Sequence, residues 1–160
     1  STGEVMGIDS DFGLAYAKSQ ISAGNSLPTK GLAFISLQDK HKNEGIDLAK
    51  KLVELNFTLC GTEGTANVIK NNGLKCKKVN KVSGGSPHIV DILNAKKIAL
   101  VINTGGGKRS AIVLDSTSLR RATLKNKVPY CTNMSTAYAC LEGIKSLKTK
   151  KITVTSLQDI

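Results

Sequence analysis

The chain has 160 residues, of which 40% are hydrophobic and 22% charged, and its formal net charge is +11. This length suits one domain, and no apolar run approaches the ~20 residues needed to span a bilayer, so we expect no membrane segment. The charge comes from 20 lysines and only 3 arginines, alongside 3 phenylalanines and 3 tyrosines, which disfavours nucleic-acid binding through arginine forks and aromatic platforms and favours small anionic ligands.

Helical and strand-like patterns alternate along the chain. Helices are indicated by apolar residues at three- and four-residue spacing, and strands by short apolar runs bounded by turn residues. In chain order, the predicted elements are a helix at 10–23, a strand at 31–37, a helix at 43–55, a strand at 57–60, a helix at 65–72, a strand at 75–79, a helix at 88–95, a strand at 98–102, a helix at 118–127, a strand at 128–131, a helix at 134–147 and a final strand at 151–155.

This alternation predicts a parallel sheet covered by helices on both faces. Ligands of such sheets bind beyond the carboxyl ends of the strands. Three polar segments follow predicted strands, at 61–65, 80–81 and 103–109. They are the candidate ligand-binding segments.

The N-terminal part differs from the rest of the chain. Residues 24–28, Gly-Asn-Ser-Leu-Pro, have the composition of a linker. We therefore expect residues 1–26 to be the end of a preceding domain plus a linker, removable at little cost in stability, and 27–160 to be the domain proper. Because the chain starts with Ser1 and lacks a basic segment followed by an apolar one, we expect part of a longer protein and no signal peptide.

The four cysteines never form a C-x-x-C pair; they are Cys60, Cys76, Cys131 and Cys140. This spacing disfavours zinc and dithiol redox chemistry and favours buried thiols in a reducing compartment. We expect a cytoplasmic protein without a metal site.

The stretch C-G-T-E-G-T-A-N at residues 60–67 joins a predicted strand to a predicted helix. Glycines let a ligand approach the backbone, a helix N-terminus offers unpaired N–H groups, and Thr62 and Thr65 add hydroxyls, which together suit a phosphate. Alternatively, Thr62 only caps the helix and Thr65 faces the same turn. The segment alone does not decide between these interpretations.

The glycine-rich segment at 103–110 matches no familiar phosphate loop. The G-x-G-x-x-G pattern fails at Ser110, and the P-loop pattern fails at Ile102 and Arg109. Its position after the strongest predicted strand keeps it a candidate. Spacing supports no catalytic triad; we expect His41 to be solvated and His88 to have a structural role at a helix start.

Several strings resemble the C-terminal part of the large subunit of carbamoyl phosphate synthetases. They are S-T-G-E-V-M-G at 1–7, G-T-E-G-T-A at 61–66, V-N-K-V at 79–82, S-P-H-I-V-D at 86–91, I-N-T at 102–104 and D-S-T-S-L-R-R at 115–121. The resemblance covers nearly the whole chain. It implies that residues 1–7 close the second ATP-using half, and that the remainder is a regulatory domain of the methylglyoxal-synthase-like fold, a three-layer α/β/α sandwich with a five-stranded parallel sheet.

In that family the domain binds allosteric effectors and performs no chemistry itself. The resemblance is to the bacterial type, which implies UMP as inhibitor or IMP as activator, with ornithine at the junction with the preceding half; animal relatives bind N-acetylglutamate instead. ATP and Mg are implied for the parent ligase, together with a small glutaminase subunit, homo-oligomers, and roles in pyrimidine and arginine synthesis. No cofactor is implied for this fragment.

The resemblance also assigns residues to the effector. It places the phosphate on Lys42, Thr62, Thr65, Lys81, Asn103, Thr104 and Gly105, and the nucleoside beside Ser36 and Asp115. The position of segments after strands leads to Thr62, Thr65, Lys81 and Asn103 independently.

Two departures from the family pattern affect this assignment. The bacterial pattern N-T-T-S-G-R-R reads N-T-G-G-G-K-R at 103–109, and the loop before Asp115 is about two residues longer. A threonine hydroxyl is thus lost at Gly105, where a backbone N–H can replace it.

Methylglyoxal synthase is the alternative, because it shares the fold and the threonine-glycine phosphate loop. That enzyme removes phosphate from a triose phosphate with an aspartate base. Residues 104–110 here contain no acid, and a general base needs a titratable group within reach. We therefore expect binding without catalysis.

Overall fold

The computed structural model describes residues 2–105 and 110–159. Helices and strands alternate in this part of the chain, as predicted. The elements are α1 (Phe12–Ser22), β1 (Gly31–Ser36), α2 (Lys42–Glu54), β2 (Phe57–Gly61), α3 (Glu63–Asn71), β3 (Lys77–Lys78), α4 (Ile89–Asn94), β4 (Leu100–Asn103), α5 (Ser110–Lys125), β5 (Tyr130–Cys131) and α6 (Met134–Thr149), with 3₁₀ turns at Asp39–His41, Val82–Gly84 and Leu157–Asp159. None of the helices in the described ranges is both long and apolar enough to cross a membrane.

The five strands form one parallel sheet in the order β3-β2-β1-β4-β5. The central strand β1 pairs with β2 and β4, so that Phe34 lies opposite Cys60 on one side and Val101 on the other. The predicted five-stranded parallel sheet is confirmed. Because every strand runs the same way, all five carboxyl ends lie along one edge of the sheet.

Alternating side chains of the strands build a core on each face of the sheet. Ala33 and Ile35 of β1 belong to the cluster that includes residues of α2, α3 and α6. Phe34, between them, belongs to the cluster that includes residues of α4 and α5. This period of two is the pattern of a strand buried on both faces, and it gives the predicted three-layer sandwich.

Helix α1 packs closely along α6. Leu14 and Ala17 of α1 are buried, and Ala17 belongs to the main core cluster. A Cβ on Gly13 would lie 2.4 Å from the carbonyl oxygen of Glu142, so the two helices approach at a distance that only glycine allows. The division of the chain at residue 26 stays a prediction, but this packing argues against a low cost for removing residues 1–26.

Asp11 ties the start of α1 to the end of α6. Its Oδ1 accepts from Leu14 N at 2.9 Å, as an N-cap, and from Ser146 Oγ at 2.6 Å. Its other oxygen pairs with the Lys150 ammonium group. These contacts, that with Lys150 most strongly, hold the pKa of Asp11 well below its usual value.

Two predictions are wrong: the start of one helix and the existence of the final strand. Helix α5 begins at Ser110, eight residues before the predicted start at 118. Residues 151–155 form no strand and are exposed, because β-propensity alone does not make a strand without pairing to a neighbour. The other elements start and end within two or three residues of the prediction.

Candidate anion-binding site at the carboxyl ends of the strands

A cleft opens where the segments after β1, β2 and β4 meet, and we call it the strand-end cleft. It is narrow, with a cavity volume of about 50 Å³. Five predicted site residues line it together with one further serine and an apolar wall; the lining residues are Ser36, Thr62, Lys81, Asn103, Asp115, Ser116, Phe34, Val82, Ile89 and Leu119. The sheet thus brings together residues that are far apart in the sequence.

A second pocket adjoins this cleft, and we call it the lysine pocket. It shares Thr62 and Lys81 with the strand-end cleft and adds Lys42, Gly64 and the ion pair of Lys78 with Glu63. Lys42 therefore reaches the same location from α2. The two cavities together offer a polar, positively charged end and a more apolar end.

Thr62 occupies the N-cap position of α3, but its side chain makes no capping hydrogen bond to the described backbone. Its hydroxyl lies instead 3.3 Å from Oγ1 of Thr65 and 3.5 Å from Oγ of Ser36. The first turn of α3 thus presents its N–H groups and the positive end of its dipole toward the lysine pocket. Within the described backbone, Thr62 is therefore not a simple helix cap.

Thr65 lies deeper than the sequence suggests, with 1% of its surface exposed. Its Oγ1 accepts a hydrogen bond of 3.0 Å from the backbone N–H of Leu37, directly after β1. Thr65 therefore holds the end of β1 against α3, behind Thr62.

The two predicted lysines approach the N-terminus of α3 from different elements. A Cβ on Gly64 would lie 3.1 Å from Lys42 Nζ, so the ammonium group stands over the first turn. Lys42 also pairs with Asp39 at 2.5 Å, and this contact lowers the pKa of Asp39. Lys81 follows β3, exposed, at the start of the 3₁₀ turn. A dianion here would meet two ammonium groups and a helix N-terminus.

Asn103 is the last residue of β4, and its carboxamide makes two hydrogen bonds. Oδ1 accepts from the backbone N–H of Gly105 at 3.1 Å, and Nδ2 donates to the Tyr130 hydroxyl at 3.0 Å. The Gly105 N–H, which could replace the lost threonine hydroxyl at a phosphate, is thus already donated to Asn103. The predicted site segment at 103–109 continues into 106–109, which lie outside the described residues.

Thr104 is 5% exposed and braces the segment after β1. Its Oγ1 accepts from Gln38 N at 3.2 Å and lies 3.1 Å from Nδ1 of His41. The expectation that His41 is solvated is therefore wrong, because the turn at Asp39–His41 folds the half-buried ring onto Thr104.

Asp115 on α5 reaches across the strand-end cleft to the segment after β3. Its two carboxylate oxygens accept from the backbone N and the hydroxyl of Ser83 at 3.1 and 2.8 Å. This clasp joins two walls of the cleft beside Lys81.

Comparison with known proteins identifies the family. The family model for the MGS-like domain matches residues 44–132, which span more than half of the chain and include most of the site. The chain belongs to the MGS-like domain family.

Curated relatives of this MGS-like domain match it along its full length. It is 48% identical to "Carbamoyl phosphate synthase large chain, C-terminal section" of Aquifex aeolicus (strain VF5), covering 100% of this chain and 30% of that protein. It is 46% identical to the section of the same name from Methanopyrus kandleri, covering 100% and 29%. The chain therefore spans about 30% of the length of these relatives, and the expected resemblance is confirmed.

A solved structure gives independent support for the fold. Methylglyoxal synthase from Elizabethkingia anophelis NUHP1 superposes with a TM-score of 0.52 over 72% of this chain and 79% of that one, at 19% identity. This likeness supports the methylglyoxal-synthase-like fold and nothing finer.

Four residues of this MGS-like domain's site were not identified from the sequence. Ser83 and Ser116 line the two cavities, His41 contacts Thr104, and Tyr130 contacts Asn103. Each depends on a contact 11 to 63 residues away along the chain, which neither spacing nor residue type indicates.

Cys60 and Cys76 do not offer reactive thiols to this site. Burial raises the pKa of Cys60 to about 12 and that of Cys76 to about 11, which keeps both protonated at neutral pH. Within the described residues, no three His, Cys, Asp or Glu side chains come close enough together to hold a metal ion.

Proposed function

We propose that this MGS-like domain is the allosteric effector-binding domain of a carbamoyl phosphate synthase large chain, and that its ligand is a nucleoside monophosphate. The observation that carries this proposal is the junction of two cavities at Thr62 and Lys81. One cavity is lined by three lysines and Glu63 around a helix N-terminus, and the other has an apolar wall and the carboxylate of Asp115. This combination fits a phosphate joined to a nucleoside.

The phosphate would lie over the first turn of α3. Thr62, Lys42, Lys81 and Asn103 are placed to donate to it, and the helix dipole adds to the attraction. Thr65, Thr104 and Gly105 would support these groups from behind, since their described hydrogen bonds go to Leu37, Gln38 and Asn103.

The nucleoside would lie at the mouth of the strand-end cleft, toward Ser36 and Asp115, and the narrow cleft would have to widen to admit it. A carboxylate accepts hydrogen bonds, so Asp115 suits the hydroxyls of a ribose. Those hydroxyls would compete with Ser83, which now donates to both carboxylate oxygens. The apolar wall of the cleft would contact the base.

The remainder of a longer large chain would supply the chemistry that this domain regulates. ATP, Mg and the glutaminase subunit belong to that remainder in our proposal, and ornithine would bind at its junction with this domain. UMP and IMP are the first nucleotides to test.

A methylglyoxal-synthase-like lyase is the alternative. The one acid lining the described part of the strand-end cleft is Asp115, whose carboxylate is engaged by Ser83. An assay for phosphate release from dihydroxyacetone phosphate separates the two functions, and turnover by this chain would favour the lyase.

Titration calorimetry tests the proposal. UMP and IMP should bind the wild type, whereas uridine and inosine should bind much more weakly because they lack the phosphate. Lys81→Ala should weaken nucleotide binding and reduce its dependence on salt concentration. Lys75→Ala is the matched control, since Lys75 is exposed and lines a separate pocket with Val53 and Phe57.

The outcomes separate clearly. Equal effects of Lys81→Ala and Lys75→Ala would mean that the total positive charge attracts the nucleotide and that no phosphate site exists. Absence of any nucleotide binding would reject the proposed ligand class.

A further inference from the structure

Asn103 has a donor that its described contacts do not use. A primary amide carries one acceptor oxygen and two N–H donors. The oxygen accepts from Gly105, and one N–H donates to Tyr130. Because Asn103 is 6% exposed and lines the strand-end cleft, the second N–H is its remaining group for a ligand.

Tyr130 is held by contacts that do not involve its hydroxyl. It is the first residue of β5, in register with Val101 of β4. Its ring packs, partly buried, on the core cluster of α4 and α5, and the Arg120 guanidinium carbon lies 5.9 Å from the ring centroid. The ring is therefore fixed by packing and by a cation–π contact, and the hydroxyl is presented to Asn103 from a rigid strand.

We propose that Tyr130 is a positioning residue for anion recognition: its hydroxyl fixes the plane of the Asn103 carboxamide so that the second N–H of Nδ2 is directed to the ligand's phosphate. The inference rests on the proposed function for the identity of the ligand. Tyr130 itself does not touch the ligand.

The contacts of Asn103 with Gly105 and with Tyr130 constrain its carboxamide in different ways. The Gly105 N–H requires an acceptor, so it selects which end of the amide faces it. That single contact leaves rotation about the terminal torsion, which is broad for asparagine. The Tyr130 hydroxyl removes this freedom, so the donor is directed before the ligand arrives and less ordering is needed on binding.

The test is Tyr130→Phe, with Tyr138→Phe as the matched control. Both variants lose one phenol hydroxyl, but that of Tyr138 donates to Asp47 at 2.9 Å on the α2–α6 side of the domain. Calorimetry with UMP should show about 2- to 10-fold weaker binding for Tyr130→Phe, the range expected for one hydrogen bond. Binding of UMP to Tyr138→Phe, and of uridine to either variant, should match the wild type.

A double-mutant cycle with Asn103→Ala identifies the route. Since Tyr130 acts through Asn103, Tyr130→Phe should cause no further loss of UMP affinity in the Asn103→Ala background. An undiminished loss in that background would overturn the proposal, as would equal weakening of UMP and uridine, which indicates general damage to the fold.

A measurement without ligand keeps this inference separate from the proposed function. In amide NMR spectra, Tyr130→Phe should shift both the Asn103 side-chain signals and the Gly105 N–H signal, and Tyr138→Phe should shift neither. If these signals stay in place, the positioning role is wrong even if UMP binds. If they move but the wild type binds no nucleotide, the proposed function fails and Tyr130 orients Asn103 for no phosphate ligand of this class.

Discussion

Thr62 and Thr65 look equivalent in the sequence, because each is a threonine that follows a glycine by one position. The structure gives them different tasks. Thr62 lines both cavities, whereas Thr65 is buried behind it with its oxygen accepting from Leu37 N at 3.0 Å. The same substitution at the two positions should therefore separate binding from stability.

We predict that Thr62→Val weakens UMP binding and leaves stability nearly unchanged. Valine keeps the shape but removes a donor to a charged group, worth about 1.5–3 kcal/mol, or roughly 10- to 150-fold in affinity. Thr65→Val should instead leave the Leu37 N–H without an acceptor and lower the free energy of unfolding by about 1–3 kcal/mol.

Calorimetry and urea unfolding measure the two quantities on both variants. Thr65→Ser is the control, because it keeps the hydroxyl and should retain most of the stability. A stable Thr65→Val protein would show that the Leu37 contact contributes little.

The strand-end position predicted Thr62, Lys81 and Asn103 from the sequence because sheet topology alone brings such residues together. It could not predict Tyr130 or His41. A tyrosine in a short strand is expected to be a core residue, and a histidine among charged residues is expected to be solvated. Their roles arise from contacts with Asn103 and Thr104, which only tertiary packing creates.

At the scale of elements, α1 should behave as an integral helix. Leu14 is 5% exposed against α6, whereas Phe12 is 64% exposed. We predict that Leu14→Ala costs about 2–5 kcal/mol of unfolding free energy, while Phe12→Ala costs much less. Deletion of residues 2–26 should be at least as damaging as Leu14→Ala. Urea unfolding of the three variants tests this. If the deletion leaves the urea midpoint unchanged, residues 2–26 are removable at little cost in stability, as the sequence suggested.

The contact between α1 and α6 should also respond to acid. Hydrogen bonds from Lys150, Ser146 and Leu14 hold the pKa of Asp11 below its usual value. A depressed folded-state pKa contributes stability that is present above about pH 4 and is lost as the pH falls further. We predict that Asp11→Asn has a lower melting temperature than the wild type at pH 7. As the pH falls from 5 to 3, the difference between the two melting temperatures should become smaller.

Lys150→Ala provides the second arm of that experiment. This variant removes the largest cause of the lowered Asp11 pKa. Like Asp11→Asn, it should therefore make the melting temperature depend less on pH. If the melting temperatures of the wild type and both variants change equally with pH over this range, protonation of Asp11 is not coupled to folding.

The sequence predicted most elements because buried strands and amphipathic helices have different periods. It failed at the start of α5 because the glycine-rich segment before Ser110 and the β-branched Ile112 and Val113 disfavour a helix locally. The prediction of a strand at 151–155 failed although the local sequence favours a strand. There the β-prone sequence lacks a strand partner, and the sheet ends at β5.

At the scale of the whole molecule, the proposed function requires binding at the strand-end cleft to be coupled to activity elsewhere in a longer large chain. Coupling between two sites is reciprocal, so weaker nucleotide binding must shift the concentration at which regulation occurs. We predict that Thr62→Val raises the half-effective UMP or IMP concentration by roughly 10- to 150-fold. Rates of carbamoyl phosphate formation measured against nucleotide concentration test this, with Lys75→Ala as control. An unshifted curve would place the regulatory site elsewhere.

Two backbone N–H groups directly after β1 are held by side-chain hydroxyls and not by the sheet. Pairing with β4 ends at Ser36, and the next two backbone N–H groups, those of Leu37 and Gln38, donate to the hydroxyls of Thr65 and Thr104. Their exchange with deuterium therefore requires the walls of the cleft to separate, not the sheet to unfold. We predict that these amides exchange faster than those inside β1 and that bound UMP slows them selectively. Two adjacent amides in an exchange experiment would thus report the opening of the cleft directly, with no label attached to the protein.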